Sequence, residues 1–153
     1  MKKILTLISL VLIFSMMCVL SSCDVIDVVF GNDTTNSTVN KGGAWENATY
    51  LEDREFGEGA KTVQVKVMAE EQSVKFTIKT DASTLGEALL AHNLLAGEQS
   101  AYGLYVKTVN GILADYDVDQ TYWALYKNGE LTSTGVDGVV IADGESYELV
   151  KQK

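Results

Sequence analysis

The 153-residue sequence has no proline, one histidine and two cysteines, and both cysteines lie within the first 23 positions. From residue 24 onward the absence of thiols excludes disulfides, cysteine-ligated metals and cysteine nucleophiles. A structural metal site needs several ligands, and His92 is the only histidine in the sequence. It is also the only imidazole that could act as the base for a serine nucleophile. No phosphate loop, nucleophile elbow or zinc-protease motif occurs. We therefore expect a protein that is not an enzyme and has no cofactor, although the 21 acidic residues leave a glycosidase-like carboxylate pair open.

Long hydrophobic runs are also scarce, and the one uncharged run extends from Ile4 to Leu20, between Met1-Lys2-Lys3 and Ser21-Ser22-Cys23. A positive start, an apolar stretch and small residues form an export signal that is removed. Its ending resembles the lipobox of bacterial lipoproteins, in which the cysteine receives a diacylglycerol and becomes the mature N-terminus. The resemblance implies lipidation of Cys23 and an extracytoplasmic protein anchored to the bacterial cell membrane. The alternative is a plain membrane anchor, for which the run is at the short edge of the ~17–25 residues required.

Basic residues are few, with 12 Lys and Arg against 21 Asp and Glu and a formal charge of −9. Residues 1–22 contain two of the basic residues and none of the acidic ones, so ten basic and 21 acidic residues follow, a charge of −11. Such a chain repels phosphate backbones and anionic lipid headgroups. We expect no nucleic-acid partner, and membrane attachment through the lipid alone.

Composition divides the chain into a signal peptide (1–22), a flexible acidic and polar tether (23–59) and a folded domain (60–153). The tether is rich in Asn, Thr, Ser and Gly, which bury too little apolar surface to offset the entropy of ordering. Its second half also contains large apolar side chains, which predict that part of it packs on the domain: Trp45, Tyr50, Leu51 and Phe56.

Apolar residues occupy alternate positions in two successive runs, Val63, Val65 and Val67, then Val74, Phe76 and Ile78. The short polar break between the runs predicts a β-hairpin with one buried face. A helix is predicted to follow, because Thr84 and Glu87 have the spacing of a capping box. Leu85, Leu89 and His92 fall on one face of it, and we expect Gly97 to end it.

Short strands flank three tight-turn dipeptides later in the chain: Asn110-Gly111, Asn128-Gly129 and Asp143-Gly144. The order β-β-α-β-β, with room for one further strand, predicts an α+β fold. We expect a β-grasp-like mixed sheet with one helix packed on one face.

Seven motifs stand in this order: Thr84-Leu85-Gly86-Glu87-Ala88-Leu89-Leu90, Gly103 to Gly111, Ala114-Asp115-Tyr116-Asp117, Tyr122-Trp123, Asn128-Gly129, Gly135-Val136-Asp137 and Asp143-Gly144. The series resembles the bacterial family of transcobalamin C-terminal-like domains over residues 60–153. The resemblance implies a β-grasp fold. In transcobalamin-type proteins this domain closes over cobalamin from one side, and a large helical domain supplies the other. We expect no such helical domain in a chain this short, so the resemblance implies a corrinoid only as a possible ligand class.

Six aromatic residues cluster within 25 positions and are the candidate ligand-binding residues: Tyr102, Tyr105, Tyr116, Tyr122, Trp123 and Tyr126. Aromatic side chains with a polar edge suit flat ligands, and they suit ordinary sheet cores equally well. Alternation places Trp123 and Leu125 on one strand face and Tyr122 and Tyr126 on the other. The pattern does not decide which face covers the helix.

The sequence has two candidate metal-binding features, a series of three aspartates and a single histidine. Asp115, Asp117 and Asp119 have the spacing of a calcium-loop start, but Gln120 and Tyr126 stand where such a loop needs glycine and glutamate. A solvated acidic turn is therefore favoured. His92 is interpreted as a histidine at the edge of the core rather than a cobalt ligand.

Two functions are consistent with these features. The first is a cell-surface lipoprotein whose small, non-catalytic binding module captures a small molecule such as a corrinoid for uptake. The second is a protein-interaction or structural module of the cell envelope, which would meet a partner protein through a sheet edge or face.

Overall fold

The computed structural model describes residues 37–153, which belong to one compact unit. The predicted signal peptide, the lipidation site Cys23 and the start of the tether lie outside the described residues. The strands are β1 (Arg54–Phe56), β2 (Lys61–Ala69), β3 (Gln72–Thr80), β4 (Leu95–Ser100), β5 (Gly103–Val109), β6 (Ile112–Leu113), β7 (Tyr122–Lys127), β8 (Glu130–Leu131) and β9 (Ser146–Gln152). The α-helices are α1 (Leu85–Leu90) and α2 (Tyr116–Asp119), and single 3-10 turns lie at Gly43–Asn47 and Val136–Gly138. Within residues 37–153 no helix is long and apolar enough to cross a membrane.

A six-stranded mixed sheet has the order β1-β3-β2-β9-β7-β8, and β4, β5 and β6 form a separate antiparallel sheet. The predicted hairpin is confirmed, because β2 and β3 pair antiparallel along their whole length. The last strand, β9, runs parallel to β2 and antiparallel to β7. Leu85 and Leu89 of α1 are buried in the same cluster as Val65 and Phe76 of the large sheet. The α+β class and the mixed sheet with a helix on one face are confirmed.

The start of α1 is as predicted, and its end is not. The Thr84 hydroxyl accepts a hydrogen bond from the Glu87 amide, and the Glu87 carboxylate accepts one from the Thr84 amide. The helix ends at Leu90, well before Gly97. Gly97 lies in β4 at a register shift, where an added Cβ would come within 2.0 Å of the Tyr105 carbonyl oxygen. Close approach of two strands, rather than helix termination, therefore requires this glycine.

The second half of the predicted tether is part of the folded unit, so the boundary predicted at residue 60 is too late. Trp45 is fully buried, and its indole Nε1 donates to the Ala69 carbonyl at 3.0 Å. β1 pairs parallel with β3 at the edge of the large sheet. The rings of Phe56 and Phe76 meet edge-on with centroids 5.5 Å apart. Large apolar side chains thus supply the burial that the polar composition of this segment lacks.

A buried asparagine holds this segment in place. Asn110 is fully buried, its side chain accepts from the Tyr50 amide at 2.9 Å, and it donates to the Tyr50 carbonyl at 2.8 Å. Its φ of 51° and the φ of 79° at Gly111 confirm the tight turn predicted there. Asn128 and Gly129 form the second such turn, with φ of 50° and 83°.

A carboxylate between two partners supports the β7–β9 pair. Burial would raise the pKa of Glu145, but hydrogen bonds from Lys127 and Tyr147 and from the Ala142 amide outweigh it and lower the pKa to about 2. The Lys127 ammonium lies 2.7 Å from the Glu145 carboxylate. Burial and the hydrogen bond to Glu145 raise the pKa of Tyr147. The charged carboxylate is therefore a stabilising part of the native fold.

Candidate functional site

A cavity of about 170 Å³ opens where the small sheet meets the large one. β5 contributes Leu104, Tyr105 and Val106, and β7 contributes Tyr122 and Trp123. Val136, from the 3-10 turn, lies on a third side. The cavity is smaller than the ~300–1,000 Å³ of a pocket that encloses a drug-sized ligand. It has room for one apolar side group of a larger molecule, and the rest of that molecule would lie outside.

The indole of Trp123 is the one buried side-chain polar group among the described lining residues that lacks a hydrogen-bond partner. The side chain is 9% exposed, and its Nε1 is the only buried side-chain nitrogen or oxygen in residues 37–153 without a hydrogen bond. A buried unsatisfied donor costs roughly 1–3 kcal/mol. Nε1 itself has almost no accessible surface, so a ligand oxygen could accept from it only after the side chains around the indole shift. The residues that line the cavity are mainly apolar, so its wall suits an apolar group.

Strand β7 resolves the question that alternation left open. Trp123 and Leu125 belong to the buried cluster that faces α1. Tyr122 and Tyr126 extend from the other face, where the Gln152 amide links them: the Tyr122 hydroxyl donates to Gln152 Oε1 at 3.1 Å, and Gln152 Nε2 donates to the Tyr126 hydroxyl at 2.9 Å. Tyr122, at the start of the strand, also borders the cavity.

The six predicted aromatic residues therefore separate into two groups. Tyr105, Tyr122 and Trp123 line the cavity. Tyr102 is 99% exposed in the β4–β5 turn, Tyr116 is exposed on α2, and Tyr126 lies on the far face of β7, so these three do not line it. As ligand-binding residues, all six are still a prediction.

Sequence reasoning missed the loop that shapes one wall of the cavity. The Asp137 carboxylate accepts a hydrogen bond from the Leu104 amide at 2.9 Å and so holds the 3-10 turn, with Val136, against β5. An added Cβ on Gly86 would come within 2.4 Å of the same carboxylate, which explains a glycine in the first turn of α1. The motif Gly135-Val136-Asp137 was the one available signal for this loop.

The aspartates of the calcium-like motif have protein partners. The Asp115 carboxylate caps α2 by accepting from the Asp117 amide, and it lies 3.5 Å from the Lys107 ammonium. The Asp119 carboxylate accepts from the hydroxyl and the amide of Thr121, which lowers its pKa. Among residues 37–153, no three His, Cys, Asp or Glu side chains are grouped so that they could hold a metal ion. The ring of His92 lies against Phe56 with centroids 5.3 Å apart, at the edge of the core.

Comparison with known proteins identifies relatives of this domain. The model of a domain of unknown function, DUF4430, matches residues 82–148. Transcobalamin-1 of Homo sapiens is 27% identical over 77 residues, which are 50% of this chain and 17% of that protein. The chain therefore spans less than a fifth of its curated relative.

Two solved structures are similar to this chain. A protein of Ruminococcus gnavus described as a candidate metal-binding protein is 36% identical, with a TM-score of 0.59, and the match covers 61% of this chain and 98% of that one. Haptocorrin in complex with Cbi is 24% identical with a TM-score of 0.48, and the match covers 64% of this chain and 26% of that one.

Proposed function

Because this chain belongs to the transcobalamin-like domain family, we propose that it is a non-catalytic module that captures a small molecule, with a corrinoid as the ligand class. The name of Transcobalamin-1 supports this ligand class. Ligand capture needs no reacting group, only a complementary surface. The Ruminococcus gnavus protein is described as metal-binding, but we do not propose metal binding for this chain. Residues 37–153 contain no group of three side chains that could hold a metal ion.

The observation that carries the proposal is an open apolar cavity lined by Trp123, whose buried Nε1 has no hydrogen-bond partner. A corrinoid is far larger than 170 Å³, so only one of its peripheral groups enters the cavity. Its amide-bearing side chains combine apolar carbons with an acceptor oxygen, which the indole N–H requires. The exposed rings of Tyr105 and Tyr122, at the cavity rim, provide further contact area.

The lipid anchor completes the proposal. Lipidation of Cys23 would hold the module at the outer face of a membrane, where a captured molecule can be passed to an uptake system. Metabolic labelling with a fatty acid tests this step. We expect the natural chain to incorporate the label and the Cys23→Ser chain to lose it, and equal labelling of both would refute lipidation at this residue.

Titration of the Cys23→Ser chain with cobalamin and with cobinamide tests ligand capture, followed by calorimetry and by corrin absorbance. We expect saturable binding with a Kd below about 10 μM, which is near −7 kcal/mol. Trp123→Phe preserves a buried aromatic ring and removes the N–H donor, and we expect about fivefold weaker binding from the lost hydrogen bond. Tyr116→Phe changes an exposed ring on α2, which does not line the cavity, and is the matched control.

The outcomes separate the alternatives. No binding at high micromolar concentration of either corrinoid would refute the ligand class. A second result would refute the cavity as the binding site: weaker corrinoid binding by the Tyr126→Phe variant and unchanged binding by the Trp123→Phe variant. That result would indicate a site on the far face of β7.

A further inference from the structure

A second concave surface lies at the end of β7, next to Lys127, and shares no lining residue with the aromatic cavity. It is a polar groove of about 550 Å³ beside the edge strand β8, and Gly138, Val139 and Val140 also line it, at and after the end of the 3-10 turn. Two apolar side chains on its walls are unusually exposed, Leu131 at 65% and Val140 at 70%. Nothing in the proposed capture of a small molecule uses this groove.

The backbone of Leu131 has free hydrogen-bonding groups that point away from the sheet. β7 and β8 are antiparallel, with Tyr126 opposite Leu131 and Lys127 opposite Glu130. Leu125 and Thr132 form the next pair along the ladder. The Thr132 amide donates to the Leu125 carbonyl at 2.9 Å, so Leu125 and Thr132 are a hydrogen-bonded pair. Hydrogen-bonded and non-hydrogen-bonded pairs alternate along an antiparallel ladder. The N–H and C=O of Leu131 are therefore directed outward, to the free edge.

The same reasoning applies to the opposite wall of the groove. The Leu85 amide bonds to the Val139 carbonyl at 3.0 Å, and the Ile141 amide bonds to the Ser83 carbonyl at 3.1 Å. Val140, between these two residues, pairs with Thr84 in an isolated antiparallel bridge. Its own N–H and C=O are directed away from the residues before α1. Outside the β7–β8 ladder, no main-chain hydrogen bond within residues 37–153 engages Leu131 or Val140.

Two free main-chain edges on the walls of one groove are complementary to an extended peptide, which offers donors and acceptors on both of its sides. The wall is held in shape before any partner arrives. The Thr132 hydroxyl donates to the Thr134 carbonyl at 2.8 Å, with the Leu125 carbonyl as a second acceptor within reach at 3.1 Å. The Gly138 amide donates to the Gly135 carbonyl at 3.0 Å. A prebuilt groove reduces the ordering cost of binding.

Charge indicates which peptide fits. The ammonium of Lys127 is paired with Glu145 at 2.7 Å, so it is compensated. The carboxylate of Glu130, also in the groove wall, makes no ion pair with any residue of the described chain. The sequence as a whole carries a formal charge of −9. We propose that an extended, cationic peptide segment of a partner protein adds as a strand in this groove, bonded to Leu131 on one side and to Val140 on the other.

Amide hydrogen exchange of the full chain in detergent tests the proposal, with a blocked seven-residue peptide of alternating valine and lysine as the probe. We expect saturable binding and at least about tenfold slower exchange of the Leu131 and Val140 amides, as for amides newly bonded in a ladder. The same peptide with alternate amides N-methylated retains its side chains and loses its donors. We expect it to bind at least about tenfold more weakly, because two or more hydrogen bonds are lost.

Two charge-removing variants test whether the carboxylate of Glu130 attracts a cationic peptide. Glu130→Gln should weaken binding of the valine–lysine peptide about threefold, which is the effect expected when a surface ion pair is lost. Glu71→Gln removes the same charge in the turn between β2 and β3 and should have no effect. Trp123→Phe should also have no effect, so failure of small-molecule capture and failure of this proposal are distinguishable.

Three results would overturn the proposal. The first is peptide binding that leaves the hydrogen exchange of both the Leu131 and the Val140 amides unchanged. The second is equal affinity for the N-methylated peptide, or for a peptide with glutamate in place of lysine. The third is concentration-dependent dimerisation in sedimentation, with both amides protected before any peptide is added, which would make a second copy the occupant.

Discussion

The side chain of Asn110 offers a quantitative test of how residues 37–59 are held on the domain. Replacement by alanine removes both hydrogen bonds to the main chain of Tyr50, at 2.9 and 2.8 Å. Each such bond contributes about 1 kcal/mol to stability, or more when the partner is left buried and unpaired. Alanine also tolerates the φ of 51° less well than asparagine, at a cost of about 1 kcal/mol. We expect Asn110→Ala to lower the free energy of unfolding by about 3 kcal/mol.

Urea denaturation followed by tryptophan fluorescence measures this loss, since Trp45 lies in the segment that Asn110 secures. Asn128→Ala is the matched control. Asn128 has nearly the same backbone conformation, with a φ of 50°, but it is exposed, and its side chain makes one long bond, 3.4 Å from the Ser146 amide. We expect that variant to lose only about 1 kcal/mol, the conformational part.

The difference between the two variants isolates the buried hydrogen bonds. Asn110→Gly, which accepts a positive φ without strain, should lose about 2 kcal/mol. If the two alanine variants lost the same free energy within ~0.5 kcal/mol, the argument that Asn110 secures residues 37–59 through Tyr50 would be refuted.

Three further predictions concern stability. Because the pKa of Glu145 is lowered from 4.5 to about 2, its contribution is complete above pH 4.5 and is lost as pH falls towards 2. Glu145→Gln should therefore destabilise by about 2 kcal/mol at pH 7, and the difference from the natural chain in urea titrations should vanish near pH 2. Trp45→Ala should lose about 3–5 kcal/mol, since a fully buried indole is removed; a loss below ~1 kcal/mol would place the segment outside the cooperative fold. Gly97→Ala should lower hydrogen-exchange protection across β4 and β5, because its Cβ would meet the Tyr105 carbonyl at 2.0 Å; unchanged protection would contradict the close approach.

Several elements could be predicted because their causes are local. The β2–β3 hairpin follows from alternation of Val63 to Ile78 around a polar break. The start of α1 follows from side-chain bonds between Thr84 and Glu87, three residues apart. The turns at Asn110 and Asn128 follow from the tolerance of asparagine and glycine for positive φ. Each of these signals involves residues that are neighbours in the sequence.

The errors concern residues whose partners are distant in the sequence. Composition placed residues 23–59 in a tether, and the large apolar side chains of its second half predicted only that part of it packs on the domain. That Trp45 is fully buried and bonded to Ala69 is known from the structure alone. Gly97 has the sequence signature of a helix end, and only its contact with Tyr105 shows that it serves a strand pair. Propensity and composition average over such contacts, so neither one records them.

For the candidate site too, the features set by neighbouring residues could be predicted and those set by distant residues could not. The sequence alone determined that aromatic side chains cluster late in the chain and that Tyr122 and Trp123 lie on opposite faces of one strand, because the side-chain period of a strand is two residues. Only the tertiary structure decided that Trp123 faces the core, and that Tyr105 and Val136 meet it around a cavity. Likewise, only the structure decided that Leu131 and Val140 line one groove. These outcomes depend on which strands pair and how the two sheets pack, which are set by contacts across the whole domain.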